Sequence, residues 1–121
     1  LLQQGVLRSD LALIEGFFKD TLNEETKQKY GIRKADIIMI DSDLYYSAKL
    51  ALDFCADLIK KDCLIIFDNW YIIGRNWKNL GEKKAFDEFL RSHQEFSSHE
   101  VYGYYINNQP TGSIMYVRRK Q

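Results

Sequence analysis

Two short acidic clusters carry the residues best suited to chemistry. Asp41-Ser42-Asp43 follows the apolar run Ile37 to Ile40, in a predicted strand Asp36 to Ile40, and Asp68-Asn69 follows the apolar run Cys63 to Phe67. Continuous apolar runs of this length, bounded by polar residues, predict strands buried on both faces. Neighbouring strands lie about 4.8 Å apart, so a parallel pairing of the two would bring Asp41 and Asp68 out side by side on one sheet edge. Two carboxylates and the amide oxygen of Asn69 form a set of hard oxygen donors. Such a set suits Mg²⁺, completed by water and substrate oxygens. Asp43 would stand on the rim, free to act as a base. Asp and Asn after strands also serve as caps and turn formers, but two such clusters ending successive strands favour a site.

Other candidates carry less. His93 and His99 lie in polar sequence and read as surface residues, and no Cys/His grouping has zinc spacing. Trp70, Tyr71 and Trp77 either wall a substrate pocket or pin a loop to the sheet. Arg118-Arg119-Lys120 reads as a solvated terminus, and there is no G-x-S-x-G, P-loop or G-x-G-x-x-G. The chain of 121 residues balances 17 Lys+Arg against 17 Asp+Glu and is 45% hydrophobic, which predicts one domain with a real core and no basic footprint for nucleic acid. No apolar run approaches the length of a membrane span. Cys55 and Cys63, in apolar surroundings, read as buried thiols of a reducing, cytoplasmic compartment.

These residues must be positioned by an alternation of strands and helices. Leu11 to Glu15 predicts a short buried strand ending at Gly16. Asn23 can cap a helix through Tyr30, stopped by Gly31. Ala48, Ala51, Leu52, Cys55, Leu58 and Ile59 form one apolar stripe on a helix from about Tyr46 to Lys60. Asp68 to Asn79 has no period and predicts a long functional loop. Asn79 and Glu82 resemble a capping box for a helix to about His93. Ser98 to Ile106 and Ser113 to Arg118, joined through Asn107 to Gly112, predict a hairpin. The order β-α-β-α-β-α-β-β implies an α/β fold with right-handed crossovers.

With those residues set out, the chain resembles the macrocin O-methyltransferase family, class I enzymes that use S-adenosyl-L-methionine. The likeness rests on Leu11 to Leu22 (LALIEGFFKDTL), Ile38 to Lys49 (IMIDSDLYYSAK), Leu64 to Trp70 (LIIFDNW) and Lys84 to Leu90 (KAFDEFL). The family pattern is G-x-F-x-D-T-L, D-x-D-L-Y-x-S-T, I-x-D-D-Y and K/R-x-A-V-D-x-F, in the same order and with similar spacing. The resemblance implies Mg²⁺ on Asp41, Asp68 and Asn69, Asp43 as the base that takes the substrate hydroxyl proton, and cofactor contacts from Gly16, Phe17 and Asp41. Asn69 stands where the family commonly has Asp, as in the Asp, Asp, Asn set of catechol-type O-methyltransferases. Tyr46, Ala48 and Trp70 replace the usual Glu, Thr and Tyr, changes that bear on substrate identity.

The likeness spans most of the chain, and residues 1–121 are expected to form a single partial domain. It implies the C-terminal half of a Rossmann-like methyltransferase, with a mostly parallel sheet and a C-terminal antiparallel hairpin. Leu1 to Leu7 read as the tail of a preceding helix, and the glycine-rich cofactor loop would belong to an N-terminal half not in this sequence. The expected activity is Mg²⁺-assisted methylation of a hydroxyl on a sugar or other small natural product. The expected partners are that substrate and either the missing half or a second copy; the fragment alone is expected to be inactive. Two other readings stay open: a nucleotide-sugar glycosyltransferase using Asp41-Ser42-Asp43 as its D-x-D, and a non-catalytic oligomerisation half-domain. A phosphatase with an Asp nucleophile fits less well, since Tyr45 stands where Thr or Val is usual.

Overall fold

The computed structural model describes residues 10–71 and 79–121. The elements run α1 (Phe18–Thr21), α2 (Glu24–Tyr30), β1 (Ile37–Ile40), α3 (Tyr45–Cys55), a 3-10 turn (Ala56–Leu58), β2 (Asp62–Phe67), α4 (Gly81–Ser92), β3 (Phe96–Ile106) and β4 (Gln109–Arg119). The four strands form one sheet in the order β1-β2-β4-β3. β1 and β2 are parallel, with Ile40 opposite Phe67. β4 pairs antiparallel to β2 and to β3.

The sheet is therefore mixed, and the mostly parallel, Rossmann-like sheet expected above is corrected. Among the described residues only the β1–β2 pair is parallel. The physical reason lies in the hairpin, which supplies two of the four strands and inserts β4 directly beside β2. Residues 11–15, expected as a further strand, take up no regular structure.

Local chemistry explains the elements that do form. The Asn23 side chain accepts the Thr26 N–H at 2.9 Å and caps α2. Gly31 closes that helix in the left-handed region, φ 65, with the Ile32 N–H returned to Lys27 O. α3 stops at Cys55 and tightens into the 3-10 turn, shorter than the apolar stripe implies. The hairpin turns at Asn107 and Asn108, φ 52 and 63. Two consecutive positive φ values are the signature of a two-residue type I′ connection, in which Asn is tolerated. The turn is thus tighter than the expected 107–112 span, and Gln109 to Gly112 belong to β4.

One sheet face carries Ile38, Ile40, Cys63, Ile65, Phe67, Met115 and Val117, all buried. Against it pack Ala48 and Leu52 of α3 and Ala85, Phe86 and Phe89 of α4. The opposite face is open on β1, where Ile37 is 66% and Met39 59% exposed. β1 therefore alternates in burial rather than being covered on both faces. Cys63 is buried and Cys55 half-buried, both as free thiols. Burial pushes the Cys63 thiol up to about 12 and the Cys55 thiol up to about 11, which keeps both protonated and inert at neutral pH. Among the described residues no helix is long and apolar enough to cross a membrane.

Candidate functional site

The two acidic clusters meet at the carboxyl ends of β1 and β2. The Asp68 N–H donates to Ile40 O at 3.0 Å, carrying the parallel ladder one residue past the strands. That step puts Asp41 and Asp68 opposite one another. The Asn69 amide Nδ2 donates to Asp41 Oδ1 at 3.0 Å, so the second cluster touches the first directly. Asp41 is exposed, while Asp68 and Asn69 are half-buried.

Two further residues complete the arrangement: Glu82, which the sequence suggested only as a helix cap, and Tyr104, which carried no signal there. Glu82, on the first turn of α4, is fully buried. Its Oε2 accepts the Ser42 N–H at 3.0 Å and its Oε1 accepts the Asn69 N–H at 2.8 Å. One carboxyl group thus ties the loop after β1 to the loop after β2. The expected capping box does not form: Leu80 is the N-cap residue of α4 and makes no side-chain cap bond. Glu82 reaches past its own helix end because the two loops present unpaired N–H groups there, and a buried N–H without an acceptor is costly. The sequence signal S/T/D/N-x-x-E is the same for either use.

Tyr104 of β3 is the second. Its hydroxyl donates to Asp68 Oδ1 at 2.6 Å. Burial, followed by this bond to a carboxylate, pushes the Tyr104 hydroxyl well above its usual value, and the charges of Glu82 and Asp41 add to the shift. Burial likewise pushes Glu82 up to about 7; the two backbone N–H bonds oppose the shift and the charges of Asp41 and Asp68 reinforce it. Negative charge converges here, and among the described residues no ion pair reaches Asp41, Asp68 or Glu82.

The remaining expected residues are distributed as follows. Asp43 is exposed on the rim just before α3. Gly16, with φ 133, and Phe17, 76% exposed, lead into α1, which lies against α3. Among the described residues none of the site's hydrogen bonds involves Gly16, Phe17 or Asp43. Trp70 is buried against Phe67 and Phe86, with ring centroids 5.0 and 5.9 Å away, and so pins the start of the loop to the core. Tyr71 is half-buried, with its N–H on Thr111 O at 3.3 Å. Trp77 and most of the expected loop, like Leu1 to Leu7, lie outside the described residues.

Among the described residues no three His, Cys, Asp or Glu side chains are grouped to hold a metal ion. The donor set at issue has two carboxylates and an amide, and its chemistry fits a hard divalent cation. The Asn69 amide donates its nitrogen to Asp41; a turn of the amide about its terminal torsion presents the oxygen instead. No family model matches the chain, and no curated protein matches it.

Proposed function

We propose that this chain is the metal-binding part of a Mg²⁺-assisted O-methyltransferase that uses S-adenosyl-L-methionine and acts on a hydroxyl of a sugar or other small natural product. The observation that carries the reading is the contact of the two strand-end clusters, Asn69 Nδ2 to Asp41 Oδ1 at 3.0 Å, beside Asp68 and with no ion pair opposing them among the described residues. Order and spacing of the four sequence blocks supply the reaction class.

Bound at this site, the cation would lower the pKa of a substrate hydroxyl, and the sulfonium cofactor would supply an activated methyl group. The protein's own tasks are then positional. Asp41, Asp68 and Asn69 would hold the cation and, through it, orient the hydroxyl oxygen. Asp43, exposed on the rim, takes the proton. Glu82 keeps the two ligand loops in register with each other.

Calorimetric titration of Mg²⁺ into the chain tests the cation site. Binding is expected for the wild type and is expected to be lost in Asp41→Ala and in Asp68→Ala, with folding checked by circular dichroism. No heat in the wild type, or equal affinity in both variants, overturns the metal assignment. The reaction class is tested in the full-length protein, by transfer of a labelled methyl group from S-adenosylmethionine to a hydroxyl acceptor. Stabilisation by a uridine diphosphate sugar and not by S-adenosylhomocysteine overturns methyl transfer in favour of the glycosyltransferase reading.

A further inference from the structure

We infer that Tyr104, laid across Gly112, is a positioning residue that fixes the orientation of the Asp68 carboxylate; the role rests on the cation-site reading above.

Strand register places the participants in one row. Ile40 pairs with Phe67, and Phe67 with Ser113, while Gly103 pairs with Ser113 on the other side. One step further along the sheet, Tyr104 pairs with Gly112. The same step from Phe67 and Ile40 reaches Asp68 and Asp41, and the Asp68 N–H to Ile40 O bond continues the ladder to that point. Asp41, Asp68, Gly112 and Tyr104 therefore lie across the four strands in that order. Tyr104 is two strands away from Asp68, with β4 between them.

Its ring bridges that gap because Gly112 has no side chain. A Cβ built on Gly112 would overlap the ring carbons Cζ and Cε1 and the hydroxyl oxygen of Tyr104. No rotation of a larger residue at 112 relieves this, since the clash begins at Cβ. The hydroxyl reaches Asp68 Oδ1 at 2.6 Å, and this bond from outside the Asp68 loop fixes the rotation of the carboxylate. A bulge follows at once: the register shifts between Tyr104 and Tyr105, leaving Thr111 unpaired in β4. Thr111 O takes the Tyr71 N–H, and Thr111 Oγ1 takes the Ile106 N–H at 3.1 Å. The strand beneath the ring is thus held on both sides, as expected where a bulge aims a side chain.

Partners that orient metal ligands typically contribute about 10–100-fold in affinity. Tyr104→Phe keeps the ring and removes only the hydroxyl, so it is expected to fold with an unchanged circular dichroism spectrum and to bind Mg²⁺ about tenfold more weakly by calorimetry. Gly112→Ala is expected to lose at least as much, and to cost no further affinity in a Tyr104→Ala background, because its effect runs through the ring. In the metal-free protein the ¹³Cγ resonance of Asp68 is expected to move in Tyr104→Phe while that of Asp36 stays, a signature that a general packing role would not produce. If the wild type binds Mg²⁺ and Tyr104→Phe binds it as tightly with an unmoved Asp68 resonance, the positioning role is overturned and the cation site stands. If the wild type takes up no Mg²⁺, both are overturned.

Discussion

Glu82 is the residue on which the site's geometry most depends. It accepts one N–H from each ligand loop while fully buried, and the neighbouring carboxylates oppose its ionisation. Glu82→Ala leaves both N–H groups without an acceptor, each costing about 1–3 kcal/mol; a clear fall in melting temperature is expected. The same carboxyl makes the metal-free chain pH-dependent. Folded, it holds its proton up to about pH 7, against an ordinary value of 4.5. The folded state then binds more protons between those limits, so the stability this group contributes is full below pH 4.5 and is lost as pH rises through 7. Denaturant titrations at several pH values should show that decline in the wild type and its absence in Glu82→Gln. The meeting of Asp41, Asp68 and Asn69 at one sheet edge was legible in the sequence because polar residues directly after an apolar run are a local pattern. Glu82 was not, because its partners are 40 and 13 positions away and its spacing to Asn79 imitates a helix cap. Tyr104 was not either, since an aromatic in a strand is ordinary core or surface until the register shows a glycine beneath it.

Among the elements, those governed by neighbouring residues followed their sequence closely. α2 begins at Asn23 and ends at Gly31 because cap chemistry is decided within one turn. The hairpin formed because two asparagines tolerate positive φ. Asn108→Ala, with φ 63 in the wild type, is expected to destabilise the protein by roughly 1–2 kcal/mol, the cost of left-handed backbone for a residue with a Cβ. Asn108→Gly is expected to be neutral or stabilising, and thermal melts distinguish the two. What the sequence did not settle was which strands neighbour which. An apolar run such as Cys63 to Phe67 reads the same beside a parallel or an antiparallel partner, and β4 took the place next to β2 that strand alternation alone assigns to a parallel neighbour. Leu11 to Glu15 has strand composition and finds no partner among the described residues, a reminder that a short apolar segment becomes a strand only when an edge is there to receive it.

At the scale of the whole molecule, the two sheet faces differ. One is covered by α3 and α4; the other exposes Ile37 and Met39 on β1, whose outer edge has no partner among the described residues. Edge strands with apolar side chains and free backbone groups invite pairing with a second chain. Light scattering is expected to show concentration-dependent association that Met39→Lys reduces, with the melting temperature little changed. The row that joins Asp41, Asp68, Gly112 and Tyr104 has a consequence of another kind. A hairpin slipped by one residue would set Thr111 or Ser113 under the tyrosine ring and strand its hydroxyl away from Asp68. Cation uptake thereby becomes a readout of correct assembly: chains that collapse with the wrong alignment would keep their helices and yet be silent to the ion.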